Sequence, residues 1–246
     1  MSATDQPLVF ITGANQGVGL GIARILAKKH NYRVLIGSRN KDNGEKVAAE
    51  LRDLGHTANA IQIDLNSESS IAAAIAQIEK DYGYLDILIN NAGILIDHEE
   101  KHSKWDLFTK TFQTNVVGPA TLTYGLLPLI RKARHGPPKI IFLTSTMGSL
   151  AIGKDKTTPW YNVDYTAYDA SKAAVNMLMI NIDRTLEGTG AKVNAVCPGL
   201  VATNMNGYTE GGADIETGAA RAVELAVDGA DGVTGTYSRS DGPLPW

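Results

Sequence analysis

The stretch LVFITGANQGVG, residues 8–19, decides how the rest of the chain is read. Leu8–Thr12 is a short apolar run, rich in β-branched residues and without alternation, as expected of a strand covered on both faces. It leads directly into Thr12-Gly13-Ala14-Asn15-Gln16-Gly17-Val18-Gly19 and then into residues 18–29, whose apolar positions recur at helical spacing. A strand, a glycine-rich turn and an amphipathic helix in that order form a cradle for a phosphate. Glycine lets the backbone come close, and the helix offers its first N–H groups and the positive end of its dipole. The spacing is G-x-x-x-G-x-G, not the G-x-G-x-x-G of the common dinucleotide fingerprint, but the physical requirement is the same. Gly13, Asn15, Gln16, Gly17, Val18 and Gly19 are therefore candidate pyrophosphate contacts. A plain glycine-rich turn is the bland alternative, and the position of these glycines between strand and helix counts against it.

Working outward, the same rhythm repeats along the chain. Strand-like runs occupy residues 33–38, 58–63, 87–91, 139–144 and 192–197, with a weaker one at 234–239. Between them lie helical patterns at 43–54, 70–82, 112–132 and 167–186; in the second of these, Ile71, Ile75 and Ile78 share one face. Strands alternating with helices imply a parallel sheet with right-handed crossovers. The expected fold is one α/β, doubly wound Rossmann-type domain over residues 1–246, with about seven parallel strands and helices on both faces. Its cofactor half would span about 1–135 and its catalytic and substrate half about 136–246. Two aperiodic segments, 145–164 and 199–214, follow strands and so fall at the carboxyl edge of the sheet, where such folds bind ligands.

Composition narrows the class. The 246 residues include 23 Lys+Arg against 26 Asp+Glu, a net charge of −3, which gives no electrostatic argument for nucleic acid or an anionic membrane as partner. No run approaches the ~18 apolar residues of a membrane span. The polar start, MSATDQP, argues against a signal peptide, and a reduced, cytoplasmic location is the default expectation. The one cysteine, Cys197, excludes an internal disulfide and reads as a buried apolar filler. Of the five histidines only His98 and His102 have ligand-like spacing, and they lie in a charged stretch that reads as a solvated face, so no metal is expected.

The end of the second strand bears on cofactor choice. An acidic residue there would bind the ribose 2′-hydroxyl of NAD. This strand instead ends in Ser38-Arg39, with no carboxylate, and Arg39 could pair with a 2′-phosphate. NADP(H) is the expected cofactor.

In order, the chain shows TGANQGVG at 12–19, Asp64-Leu65, NNAG at 90–93, Asn115 within TNVVG, Ser145 within TSTMG, Tyr168-Asp169-Ala170-Ser171-Lys172, and CPGLVAT at 197–203. This ordered set resembles the short-chain dehydrogenase/reductases over nearly the whole chain. Tyr168 and Lys172 are one helical turn apart, so they share a face. A phenol titrates near ~10 in water, and a neighbouring ammonium is expected to bring it down toward proton exchange at neutral pH. Ser145, at a strand end, can hydrogen-bond the same substrate oxygen. The resemblance implies that Asn115, Ser145, Tyr168 and Lys172 are catalytic, with Lys172 also holding the nicotinamide ribose and Asn115 anchoring a proton-relay water. It further implies cofactor contacts from Asp64, Leu65, Asn91, Gly93, Val201 and Thr203.

Two features depart from the common pattern. Tyr168 lies 23 positions after Ser145, a lengthening over residues 154–165 that resembles the carbonyl reductases. The chain ends GTYSRSDGPLPW, unlike the tail that builds one interface in the family's tetramers, so a homo-oligomer is compatible with the sequence but that assembly is not indicated. Trp160, Tyr161, Tyr165, Met205 and Tyr208 would line an apolar, adaptable pocket. The expected activity is reduction of a moderately bulky or aromatic ketone or aldehyde with NADPH. An NADP-binding redox sensor on the same fold is the competing reading. An epimerase or dehydratase would need a substrate domain for which this chain has no spare residues.

Overall fold

Leu8–Thr12 (β1) faces two different cores. Leu8 and Phe10 belong to one buried apolar cluster, Val9 and Ile11 to another. Arg33–Ser38 (β2) repeats this, with Leu35 on one side and Val34 and Ile36 on the other. Lys139–Leu143 (β5) does the same with Ile140 and Phe142 against Ile141 and Leu143. This is why these central strands read as continuous apolar runs: apolar side chains on both of their faces are buried. The structure, a computed structural model, describes residues 5–99 and 101–246. The reading of the polar start therefore falls partly on residues 1–4, outside the described residues, as does Glu100 of the charged stretch.

Ala58–Gln62 (β3), Ile87–Asn90 (β4), Lys192–Val196 (β6), Thr236–Arg239 (β7) and Gly242–Pro243 (β8) complete one sheet in the order β3-β2-β1-β4-β5-β6-β7-β8. The first seven strands are parallel, and β8 pairs antiparallel with β7. The sheet thus has one strand more than the seven expected. A two-residue strand offers no periodicity to read. The order reverses at β1/β4, and at that switch point the crevice opens beyond the strand ends.

Helices Gly17–His30 (α1), Lys41–Asp53 (α2) and Ile215–Val227 (α8) cover one face; Glu68–Tyr82 (α3), Gly118–Ile130 (α5) and Thr166–Thr185 (α7) cover the other. The single helix expected over 112–132 is divided. Lys104–Phe112 (α4) is followed by a π-helical turn, Gln113–Val117, before α5 begins. Pro119 at the start of α5 lacks the N–H that would continue the helical bonding pattern, and Gly118 lets the chain pass close to Leu65, where an added Cβ would stand 2.4 Å from the carbonyl oxygen. The segment 145–164, read as irregular, contains a 3₁₀ turn, Thr146–Gly148, and a short helix, Leu150–Gly153 (α6). No helix of the described residues is long and apolar enough to cross a membrane.

Candidate active site

Asn40, Ser67, Ser103 and Asp214 each cap the helix that follows them, α2, α3, α4 and α8, through a side-chain oxygen. The amino end of α1 is different: Gln16 stands at its cap and no side chain closes it. Its first N–H groups face a cleft of about 680 Å³ at the carboxyl edge of the sheet. Gly13 and Gly17 have φ of +64° and +55°, a conformation glycine adopts without strain. Asn91 braces the turn from the far side, its Nδ2 donating to the carbonyls of Thr12 at 2.8 Å and Gly13 at 3.2 Å. Gly19 lies so close beneath Asn91 that an added Cβ would be 2.4 Å from that nitrogen. A cap left to an outside anion, a glycine cradle and a cleft of this size fit the phosphates of a dinucleotide.

Gly13, Asn15, Gln16, Gly17, Val18, Ser38, Arg39, Asp64, Leu65, Asn91, Gly93, Val201 and Thr203 all line this cleft. Arg39 is exposed at the end of β2, and among the described residues its side chain has no recorded partner. Ser38 is buried and donates to the Asn40 carbonyl at 2.7 Å. Thr203 reaches across to the first turn, where its methyl group would meet a Cβ added at Gly17 at 3.5 Å.

Deeper in the same cleft, Ser145, Tyr168 and Lys172 form one wall. The Ser145 hydroxyl lies close enough to the Tyr168 phenol to favour its ionised form. The Lys172 Nζ is 5.5 Å from the centre of the Tyr168 ring and donates to the Leu143 carbonyl at 2.9 Å. Burial brings the Lys172 ammonium down to about 8. Burial also pushes the Tyr168 phenol above its usual range; the Cys197 thiol adds to this, and the Ser145 hydroxyl opposes it. The expectation that the ammonium would draw the phenol down is not met: desolvation dominates and favours the neutral phenol.

Asn115 sits on the π-helical turn, beside this wall rather than on it. Its Nδ2 donates to the Ile94 carbonyl at 2.9 Å and to Ser171 Oγ at 3.0 Å, while its Oδ1 accepts from Ile94 N at 2.8 Å. The side chain therefore anchors the segment after NNAG to α7. Gly93 lies between it and Lys172, where a Cβ would be 3.2 Å from Asn115 Oδ1 and 3.5 Å from Lys172 Nζ. Asp97 caps α7, accepting from the amides of Ala167 at 2.8 Å and Tyr168 at 3.3 Å. Nothing in the sequence pattern signalled this contact.

A family model described as short chain dehydrogenase matches residues 7–213. The chain belongs to the short-chain dehydrogenases. It is 34% identical over 233 residues to the short-chain dehydrogenase anuI of Penicillium roqueforti, covering 94% of this chain and 92% of that protein. Among solved structures it is similar to the NADP active-site complex of Pseudomonas aeruginosa RhlG, with a TM-score of 0.82 and 26% identity over 95% of this chain and 94% of the other. It also shares its fold with the NADPH-bound carbonyl reductase from chicken fatty liver, with a TM-score of 0.83 and 24% identity over 98% of this chain and 99% of the other.

In this short-chain dehydrogenase the outer walls of the cleft come from the two aperiodic segments. Trp160, Tyr165 and Met205 line it, whereas Tyr161 and Tyr208 do not and are solvent-exposed. Tyr208 has φ +58° at the end of a 3₁₀ turn, outside the conformations that continue the turn. Ile94, Leu95, Met147, Val163, Leu200 and Arg239 also line the cleft and carried no signal of their own. Cys197 is more than filler. Its Sγ lies 3.1 Å from both the amide and the hydroxyl of Thr146 and 3.4 Å from the Gly199 amide, tying the turn after β5 to the turn after β6. His102 pairs with Glu99 at 3.0 Å, and among the described residues no group of three metal-ligating side chains converges.

Proposed function

We propose that the chain is an NADP(H)-dependent reductase of ketones and aldehydes, and that Ser145, Tyr168, Lys172 and Asn115 are its catalytic and supporting residues. The observation that carries this reading is the placement of the Ser145–Tyr168–Lys172 wall in the same cleft as the uncapped, glycine-rich end of α1. Gly13 to Gly19 would hold the pyrophosphate, Arg39 the 2′-phosphate, and Val201 and Thr203 the nicotinamide end. The nicotinamide supplies the hydride when bound. Tyr168, held neutral by burial, gives its proton to the substrate oxygen, and Ser145 orients that oxygen through its hydroxyl. Lys172 places a positive charge behind the phenolate that remains. Asn115 keeps Ser171 and the Ile94 segment in register with these groups. The apolar lining from Leu95, Met147, Trp160, Val163 and Met205 suits a moderately bulky or aromatic carbonyl compound. The NADP complex of the similar RhlG structure supports the cofactor assignment.

The test is NADPH oxidation against a panel of ketones, aldehydes and quinones, with Tyr168→Phe as control. Wild type should turn over at least one class, with the variant slower by about two orders of magnitude or more. Equal inactivity of both on every compound would overturn the reading.

A further inference from the structure

The carbonyl of Ser145 is held by two donors. It accepts from the Gly148 amide at 2.9 Å, which closes the 3₁₀ turn, and from the Tyr237 hydroxyl at 2.6 Å. Tyr237 belongs to β7, two strands away, and its side chain is only 2% exposed. Its ring packs against Trp246, with centroids 5.3 Å apart. The tail that carries Trp246 makes two more bonds to the same segment: Ser149 Oγ donates to the Pro245 carbonyl at 2.7 Å, and the Ala151 amide to the Trp246 carbonyl at 2.9 Å. From the α7 side, Asn176 Nδ2 reaches the Gly148 carbonyl at 3.3 Å, and Gly148 packs so tightly on Lys172 that a Cβ there would lie 2.7 Å from its backbone. Residues 145–151 are thus clasped between α7 and the β7–β8 end of the chain.

From this geometry we infer that Tyr237 is a positioning residue, which holds the Ser145 backbone so that the Ser145 hydroxyl stays aimed at the substrate oxygen. The inference rests on the reductase reading given above. Ser145 itself has few other restraints. Its backbone is extended, with φ −151° and ψ 150°, and its Oγ accepts only a long 3.2 Å bond from the Met147 amide besides its contact with Tyr168. The Tyr237 hydroxyl is a dependable donor because burial, reinforced by Cys197, raises its pKa and keeps it protonated. A shift of the Ser145 carbonyl would swing the hydroxyl, and small displacements of a positioned group cost rate more than binding.

The experiment uses Tyr237→Phe, which removes one oxygen and keeps the ring against Trp246, in wild-type and Ser145→Ala backgrounds. In the wild-type background kcat for carbonyl reduction should fall about tenfold, the scale of one lost hydrogen bond, with KM for NADPH unchanged. In the Ser145→Ala background the same change should cost nothing further, because Tyr237 acts through the Ser145 hydroxyl. Hydrogen exchange at the Gly148 amide should quicken about tenfold in Tyr237→Phe while thermal unfolding stays cooperative. Equal loss of kcat in both backgrounds, or unchanged kcat with unchanged exchange at Gly148, would overturn the inference. If wild type reduces no carbonyl compound, the reductase reading has failed, and Gly148 exchange alone then decides whether Tyr237 holds the turn.

Discussion

Lys172 Nζ stands 5.5 Å from the centre of the Tyr168 ring, yet its hydrogen bond goes to the Leu143 carbonyl at 2.9 Å. The ammonium is therefore parked on the end of β5, close enough to act on the phenol electrostatically and free to be shared with a ligand. Burial brings its pKa to about 8, so it is charged below that pH and neutral above it. An anionic dinucleotide should gain from the charged form, and its affinity should weaken as pH rises through about 8. We expect NADPH Kd, followed by fluorescence, to rise roughly threefold to tenfold between pH 7 and 9, in line with one charge lost near the ligand. Lys172→Met should bind weakly at pH 7 and show a flat profile. A wild-type profile flat through this range would exclude Lys172 from dinucleotide binding.

Asp169, the residue after Tyr168, predicts a pH dependence of stability. Burial raises its carboxyl pKa to about 7, with Asp97 and Asp164 adding repulsion, and its Oδ1 is buried without a hydrogen-bond partner. Asp97 cannot yield, because both its oxygens hold the first amides of α7. Since the folded-state pKa lies above the unfolded one, the native state binds the extra proton between about pH 4 and 7. Stability from this group is fully present below that window and is lost as pH rises through it. Asp169→Asn should raise Tm at pH 8, leave it nearly unchanged at pH 4, and flatten the slope between. A Tm lowered at pH 8 would show that the carboxylate has a stabilising partner after all.

The strands and the order of the motifs were legible in the sequence because burial on both faces of the central strands leaves long apolar runs, and because glycines at 13, 17 and 19 mark a tight turn with positive φ and close packing. The cradle and the Ser145–Tyr168–Lys172 wall follow from local pattern: a turn between strand and helix, and two residues one helical turn apart. What the sequence hid depends on distant contacts. The π-helical turn at Asn115 leaves no mark in the apolar periodicity, and the close approach of Gly118 to the Leu65 carbonyl joins residues far apart in the chain. Asp97 caps a helix that begins 69 residues later, at Thr166. Spacing shows that a charge stands near Tyr168 but not how completely water is excluded, and it is burial that sets the direction of the Tyr168 shift. Tyr161 and Tyr208 lie outside the cleft lining although they share its segments with Trp160, Tyr165 and Met205, because loop composition does not say which side chains face inward.

Arg39 tests the cofactor assignment. It is exposed at the end of β2, lines the cleft with Ser38, Asn40 and Asn43, and has no recorded side-chain partner among the described residues. Its guanidinium is thus available for a 2′-phosphate, and no carboxylate at the strand end competes for a ribose hydroxyl. Arg39→Asp should weaken NADPH binding by about tenfold to a hundredfold, the worth of a charge-assisted pair plus new repulsion. NADH binding should hold or improve. Titration of both cofactors against both proteins measures this, and parallel loss of the two would show that Arg39 does not discriminate between them.

Gly19 separates close approach from backbone freedom. Unlike Gly13 and Gly17 it does not have a positive φ, so alanine is not excluded by conformation. The obstacle is space: a Cβ would stand 2.4 Å from Asn91 Nδ2 and 2.7 Å from the Gly13 carbonyl oxygen. The first contact would push Asn91 away from the Thr12 and Gly13 carbonyls that it braces, and the second presses directly on the turn. Gly19→Ala should therefore destabilise the fold by about 1–3 kcal/mol, as overpacking does, and weaken NADPH binding by more than about tenfold. Gly55→Ala is the matched control. Gly55 has φ +85° with nothing within 4 Å of an added Cβ and does not line the cleft, so it should cost about 1–2 kcal/mol from backbone strain alone and leave NADPH affinity intact. Urea unfolding and a cofactor titration on each variant distinguish the two effects. If Gly19→Ala bound NADPH as tightly as wild type, the brace between Asn91 and the glycine turn would not be what shapes the phosphate cradle.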